Sequence, residues 1–196
     1  MKNVFLDLGT HYGQGLREFI EKYKMTNLWR IHTFEANPVT YDVFTKQYHQ
    51  QTPWVIPHQK AVGHYNGTIT VNMETPPGEG ATGMGSSVIP LEEWDPWGGK
   101  NHEPFKSTAE VPCIDFAEFI QKNFSKEDFI VIKMDIEGSE YETLKRLITT
   151  DVIDYIDDLY VEWHNRCFPD PSAMIELESK LIGEIENRGV KLESWR

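Results

Sequence analysis

The sequence predicts an α/β fold, a doubly wound and mostly parallel sheet covered by helices, in a single domain over residues 1–196. Three observations lead there. The apolar strand Val4–Leu8 runs into a glycine-spaced turn and then a helix, whose Leu16, Phe19, Ile20 and Tyr23 fall at offsets 0, 3, 4 and 7. The run Phe129-Ile-Val-Ile-Lys-Met has the continuous apolar character of a central parallel strand buried on both faces. Strand and helix signals alternate nearly from end to end, which gives right-handed crossovers between parallel strands.

The remaining elements follow in order. Ile31–Glu35 is the second strand. Asn37 caps a helix that has Pro38 at its first position and Tyr41, Phe44 and Tyr48 on its apolar side. Trp54–Val62 is the third strand, and Pro57 confines it to an edge. Asn66-Gly67 is a hairpin signal, so Val62–Met73 is expected to extend that edge as a hairpin. Residues 74–108 are rich in Gly, Pro, Ser and Trp and have no period, which marks a binding loop or lid. Trp94, Trp97 and Phe105 would anchor this loop by burying apolar area. A short strand near Ala109–Pro112 follows, and Asp115 with Glu118 forms a capping box for a helix reaching Asn123. Ser139 with Glu142 starts the helix after the central strand. Ile156–Glu162 is the fifth strand of the sheet. Asp170-Pro171 opens a last helix with Met174, Leu177, Leu181, Ile182 and Ile185 as its stripe, and Val190–Ser194 is a final strand.

Composition narrows the function. Nineteen Lys+Arg against 31 Asp+Glu give a net charge of −12, a surface that repels nucleic acid, and no basic patch offsets it. No run reaches membrane-spanning length. Asp7 interrupts the first apolar stretch, which is unlike a secretion signal. Cys113 and Cys167 form no spaced pair and read as free thiols in a reducing compartment, so a cytoplasmic location is expected.

The glycine turn discriminates between cofactors. Dinucleotide folds use G-x-G-x-x-G to cradle a pyrophosphate. Asp7, Gly9, Gly13 and Gly15 give the wider D-x-G-x-x-x-G-x-G. An acid at that place repels a pyrophosphate and suits an ammonium, which points to S-adenosylmethionine over a nicotinamide. Ligands of such sheets sit at the carboxyl ends of the strands. Asp7, Glu35, Asp135, Glu137, Glu162 and His164 all lie at such ends.

Taken together, DLGTHYGQG, FEANP, AVGHYNGTITV, GMGSSV, VPCIDFAEFI, IKMDIEGSEYETL and VEWH resemble, in order, the motifs of the FkbM-type methyltransferases of the Rossmann-like, S-adenosylmethionine-dependent superfamily. The resemblance implies a strand order of 3-2-1-4-5-6 and O-methylation of a small hydroxylated acceptor, a saccharide or natural product. The superfamily's usual seventh, antiparallel strand has no counterpart before Arg196, so the expectation is either a trimmed core or a partner subunit over that edge, with a homo-oligomer as one possibility.

Within that resemblance each site residue has an expected role. Glu35 accepts the ribose hydroxyls, with Asn37 assisting, because two carboxylate oxygens match a vicinal diol. Gly9, Thr10 and His11 offer backbone groups to the methionine end, Gly13 serves the turn, and Asp7 holds the ammonium. Ala61 lies against the adenine, and Ser86 and Ser87 close over it. Lys133, Asp135 and Glu137 alternate on one face, and a lysine and two acids amid apolar residues are costly unless paired or functional. His164 is the first candidate base and Asp135 the second. No metal is the first expectation. The alternative is a magnesium, calcium or manganese ion on Asp135, Glu162 and His164. A non-catalytic module that keeps the cofactor pocket is the other competing reading.

Overall fold

In the computed structural model, residues 1–49, 52–74, 85–90, 93 and 105–195 are described. Six parallel strands form the main sheet: β1 (Asn3–Leu8), β2 (Trp29–Phe34), β3 (Val55–His58), β7 (Phe129–Met134), β8 (Asp158–Val161) and β9 (Lys191–Ser194). Their order is β3-β2-β1-β7-β8-β9, which is the expected 3-2-1-4-5-6 counted over the strands of this sheet alone. Pro57 sits on β3 at the edge, where a missing N–H costs no ladder bond.

Side chains alternate across the sheet. Phe5, Ile31, Val131 and Tyr160 face helices α1 (Gln14–Lys22) and α2 (Pro38–Phe44), with Leu16, Phe19 and Phe44 completing that layer. Leu6, Leu8, Ile130, Ile132 and Leu159 face α3 (Phe116–Asn123), α4 (Glu140–Thr149) and α5 (Pro171–Asn187), through Ile120, Leu144, Leu181 and Ile185. By the same alternation Asp7 and Lys133 fall in the α1 layer. Register levels the strand ends, since Leu8 pairs with both Phe34 and Met134, and Met134 with Val161. The residues just past those ends therefore line one rim.

A second, three-stranded sheet corrects the expected hairpin. The third-strand segment splits into β3 and β4 (Ala61–Gly63), and β4 leaves the main sheet. It pairs in parallel with β6 (Phe105–Asp115), and β5 (Gly67–Glu74) pairs antiparallel with the other side of β6. Asn66 does not close a tight hairpin. Its Oδ1 accepts from the N–H of Asp115 at 3.0 Å, and so ties this corner to the end of β6. The short strand expected at Ala109–Pro112 is thus the middle of a longer one.

Caps follow the sequence in three places. Asn37 accepts from the N–H of Val39 and Thr40, Asp115 from Glu118, and Asp170 from Ala173. Ser139 makes no side-chain cap. The start of α4 is held instead by Glu140, whose two oxygens accept from the N–H groups of Ile136 (2.8 Å) and Gly138 (2.9 Å). A carboxylate there also complements the positive end of the helix. No helix among the described residues is long and apolar enough to cross a membrane.

His32 and His58 share a 2.9 Å hydrogen bond and stack in an aromatic nest with Phe34, Phe119 and Phe124. Burial pushes both imidazoles down to about 4. The folded value lies below the unfolded one, so the unfolded chain binds more protons in between, and this contribution to stability is lost as pH falls from 6.5 towards 4. The urea midpoint should drop between pH 7 and pH 5, and His58→Gln should show a smaller drop than the wild type.

Candidate active site

A cavity of about 360 Å³ opens along the rim of the sheet. Its lining brings together Gly9, Thr10, His11, Glu35, Ala61, Ser86, Lys133, Asp135, Glu137, Glu162 and His164. Of the sequence-derived candidates, Asp7, Gly13, Asn37 and Ser87 do not line it. Gln14, inside the first glycine motif but given no role there, lines it as well, and so do Arg166, Cys167 and Trp195, to which no motif pointed.

One side of the cavity is the first glycine turn. Gly9 has φ +74, and a Cβ on it would stand 1.7 Å from the Asp135 carbonyl oxygen, so only glycine fits. The N–H groups of Gly9 and Thr10 both donate to the Phe34 carbonyl, and that of His11 donates to Glu35 Oε2 at 2.8 Å. These donors tie β1 to the end of β2, while Gly9, Thr10 and His11 all line the cavity. Glu35 Oε1 also accepts from the N–H of Asn37 at 2.8 Å, so each carboxylate oxygen is oriented by one backbone bond and keeps further acceptor capacity. Asn37 is occupied in capping α2 and in donating to Ser86 Oγ at 3.0 Å. Ser87 Oγ donates to the carbonyl of Glu137 at 2.6 Å, fastening its segment to the rim of the cavity.

Beneath the turn lies Lys133, almost fully buried. Its Nζ donates to the Gly9 carbonyl at 2.7 Å and the Leu8 carbonyl at 3.3 Å, and lies 3.1 Å from Asp135 Oδ2 and 3.5 Å from Asp7 Oδ1. Burial works against its charge, but Asp135 and Asp7 outweigh burial and hold it above the usual lysine value. Asp7 is fully buried beside Lys133 and does not line the cavity, and it supports the Lys133 ammonium at 3.5 Å.

The opposite side is an acid–histidine cluster. β7 ends at Met134, and Glu137 takes a left-handed backbone with φ 51, which breaks the alternation expected of Lys133, Asp135 and Glu137. The turn brings Glu137 Oε2 to 3.4 Å from His164 Nε2. Glu162 Oε1 lies 3.9 Å and Asp135 Oδ1 4.0 Å from the same nitrogen. The other ring nitrogen, Nδ1, pairs with Glu140 Oε1 at 3.1 Å. Glu140 was missed in sequence because it reads as an ordinary first-turn acid of α4. Its complete burial is what reveals a positioning role.

Electrostatics ties His164 to the acids around it. Burial disfavours the His164 cation, but Glu140, Glu137 and Asp135 outweigh it and raise His164 to about 9. Burial, reinforced by Asp135, Glu140 and Glu162 against the pull of His164, raises Glu137 to about 8. Both groups therefore hold a proton more tightly than usual around neutral pH, and they face each other across 3.4 Å as an interacting pair. Trp94, Trp97 and His102 lie outside the described residues.

The sequence profile of the methyltransferase FkbM domain matches residues 7–184. The chain belongs to the FkbM methyltransferase family. The match spans both sides of the cavity, from Asp7 to beyond His164. Among solved structures, the chain is similar in fold to the crystal structure of the methyltransferase FkbM from Methylobacillus flagellatus KT, with a TM-score of 0.54 and 13% identity. The alignment covers 93% of this chain and 37% of that one, so this chain spans little more than a third of the length of its FkbM neighbour. No curated protein matches the chain.

Two substitutions test the geometry. Gly9→Ala should destabilise the fold by about 2 kcal/mol or more, seen in the denaturant midpoint, because it meets backbone and strains φ together. Glu140→Gln should lower the His164 pKa from about 9 back towards 6.5, read by NMR titration of the ring, since Glu140 is the largest influence holding it up.

Proposed function

We propose that the cavity binds S-adenosylmethionine and that the chain transfers its methyl group to a hydroxyl of a small molecule, a saccharide or natural product. The observation that carries this reading is the polarity of the cavity: a Gly9–Glu35 side shaped for a nucleoside faces an acid–histidine side able to take a proton.

The residues present fit the cofactor. Only a glycine is tolerated where the turn closes on Asp135. The Glu35 carboxylate is held by the N–H groups of His11 and Asn37 in a fixed orientation, ready to accept two adjacent ribose hydroxyls. Lys60, Ala61 and Val62 form the adenine wall. The Gly9 carbonyl and Asp135 are acceptors near Lys133, and acceptors are what an ammonium needs.

When bound, S-adenosylmethionine supplies an electrophilic methyl group: the acceptor oxygen bonds to the methyl carbon as the carbon–sulfur bond breaks, and the electron pair stays on sulfur. The chain's part is alignment and proton removal. Glu137 is the proton acceptor for the hydroxyl, because it lines the cavity and its carboxyl sits near the working pH. His164, held by Glu140, keeps Glu137 in place across 3.4 Å. Asp135 links this cluster to Lys133 and so to the glycine turn.

Calorimetric titration with S-adenosylhomocysteine should show binding by the wild type and no signal with NAD. Glu35→Ala should weaken binding at least tenfold, or about 1.4 kcal/mol. A folded wild type that binds no S-adenosylhomocysteine would overturn the reading.

A further inference from the structure

We infer that Asp135, Glu162 and His164 form the binding site of a single hard divalent cation, magnesium or manganese, at the acceptor end of the cavity. The three side chains come from the ends of two neighbouring strands, β7 and β8, and one ligand atom from each lies within 4.8 Å of the others. With the His164 proton displaced by the cation, they supply one nitrogen and two carboxylate oxygens, a donor set that such cations accept.

The arrangement is more specific than a group of acids. His164 is 2% exposed, and its ring is fixed through Nδ1 by Glu140, itself fully buried. A carboxylate on the far nitrogen is the usual way a protein aims a metal-binding histidine. Here it turns Nε2 towards the centre of the cluster. Nε2 stands 3.9 Å from Glu162 and 4.0 Å from Asp135. These separations exceed the roughly 2.7–3.2 Å of N–H···O bonds. They also exceed the roughly 3 Å between neighbouring ligand atoms around an octahedral ion with bonds of about 2.1 Å, so the side chains would close in by about 1 Å on a bound cation. Asp135 divides its two oxygens: Oδ2 goes to Lys133 at 3.1 Å, and Oδ1 to the cluster.

Three protein ligands leave coordination positions open, and the three residues line the cavity. Those positions suit an acceptor with two adjacent oxygens. The cation would orient that acceptor and acidify its hydroxyl, leaving Glu137 to take the proton. This role in transfer rests on the methyltransferase reading. The cation site itself does not.

The test is manganese binding to the intact chain, with free ion counted by electron paramagnetic resonance, and S-adenosylhomocysteine titrated calorimetrically on the same preparations without metal. The expected result is one saturable manganese site per chain. Glu162→Gln and His164→Gln should each weaken it at least tenfold, and the exposed Glu176→Gln should leave it unchanged. Retained S-adenosylhomocysteine binding shows that the two site variants are folded. Absence of a stoichiometric site, or a site that survives both variants unchanged, overturns the proposal. In that case S-adenosylhomocysteine binding by the wild type keeps the methyltransferase reading intact. Manganese binding without S-adenosylhomocysteine binding sustains the cation site and removes its role in transfer.

Discussion

The buried ammonium of Lys133 is the interaction on which the rest of this site depends. It stands where β1 and β7 end side by side, reaching two carbonyls of the first turn, one carboxylate below and one above. A buried lysine without partners would lose its proton or unfold its surroundings. Here each partner needs it in return. Among the described residues Asp7 has no hydrogen-bond donor on either side-chain oxygen; Lys133 favours its charge, and burial pushes its pKa up. Removing one member of such a set leaves the others uncompensated, which costs far more than the net worth of the pairing. The glycine turn, the floor of the pocket and the aim of Asp135 are therefore one unit.

The two sides of the cavity differ in how they handle charge. On the Glu35 side a carboxylate is satisfied by backbone N–H groups, so its charge is localised and its position rigid. On the His164 side Asp135, Glu137, Glu140 and Glu162 surround one imidazole, and acids outnumber the cations that could balance them. That imbalance explains why burial alone does not set the titration of His164: its neighbours do. An acid-rich wall favours positively charged occupants, in keeping with a sulfonium cofactor and with a cation.

Much of the main sheet was legible because parallel strands and their crossovers leave strong local marks. The apolar runs at Val4–Leu8 and Phe129–Met134, the Asn37-Pro38 start and the Asp170-Pro171 start all correspond to elements that form. The second sheet was not legible. β4 and β5 are separated in space by β6, a partner distant in sequence, and an Asn-Gly pair carries no information about such insertion. At the site, the positions at strand ends were readable from topology. What lay beyond reach were the side-chain partners. Alternation placed Asp135 and Glu137 together, but the left-handed backbone of Glu137 redirected it, and only burial exposes Glu140 as the anchor of His164.

The small sheet also sets an order of assembly. β1, α1 and β2 meet through contacts close in sequence, and closing such short segments is entropically cheap. The proposed adenine wall is different. Ala61–Gly63 has its ladder partner in Cys113–Asp115, so this wall is secured only after the whole intervening segment has been made and folded back. During synthesis from the amino terminus, the nucleoside side of the pocket therefore waits for β6, and α4 with the His164 anchor follows later still. The pocket therefore joins segments far apart in sequence, and a chain that stops before β6 lacks the ladder partner of one of its walls.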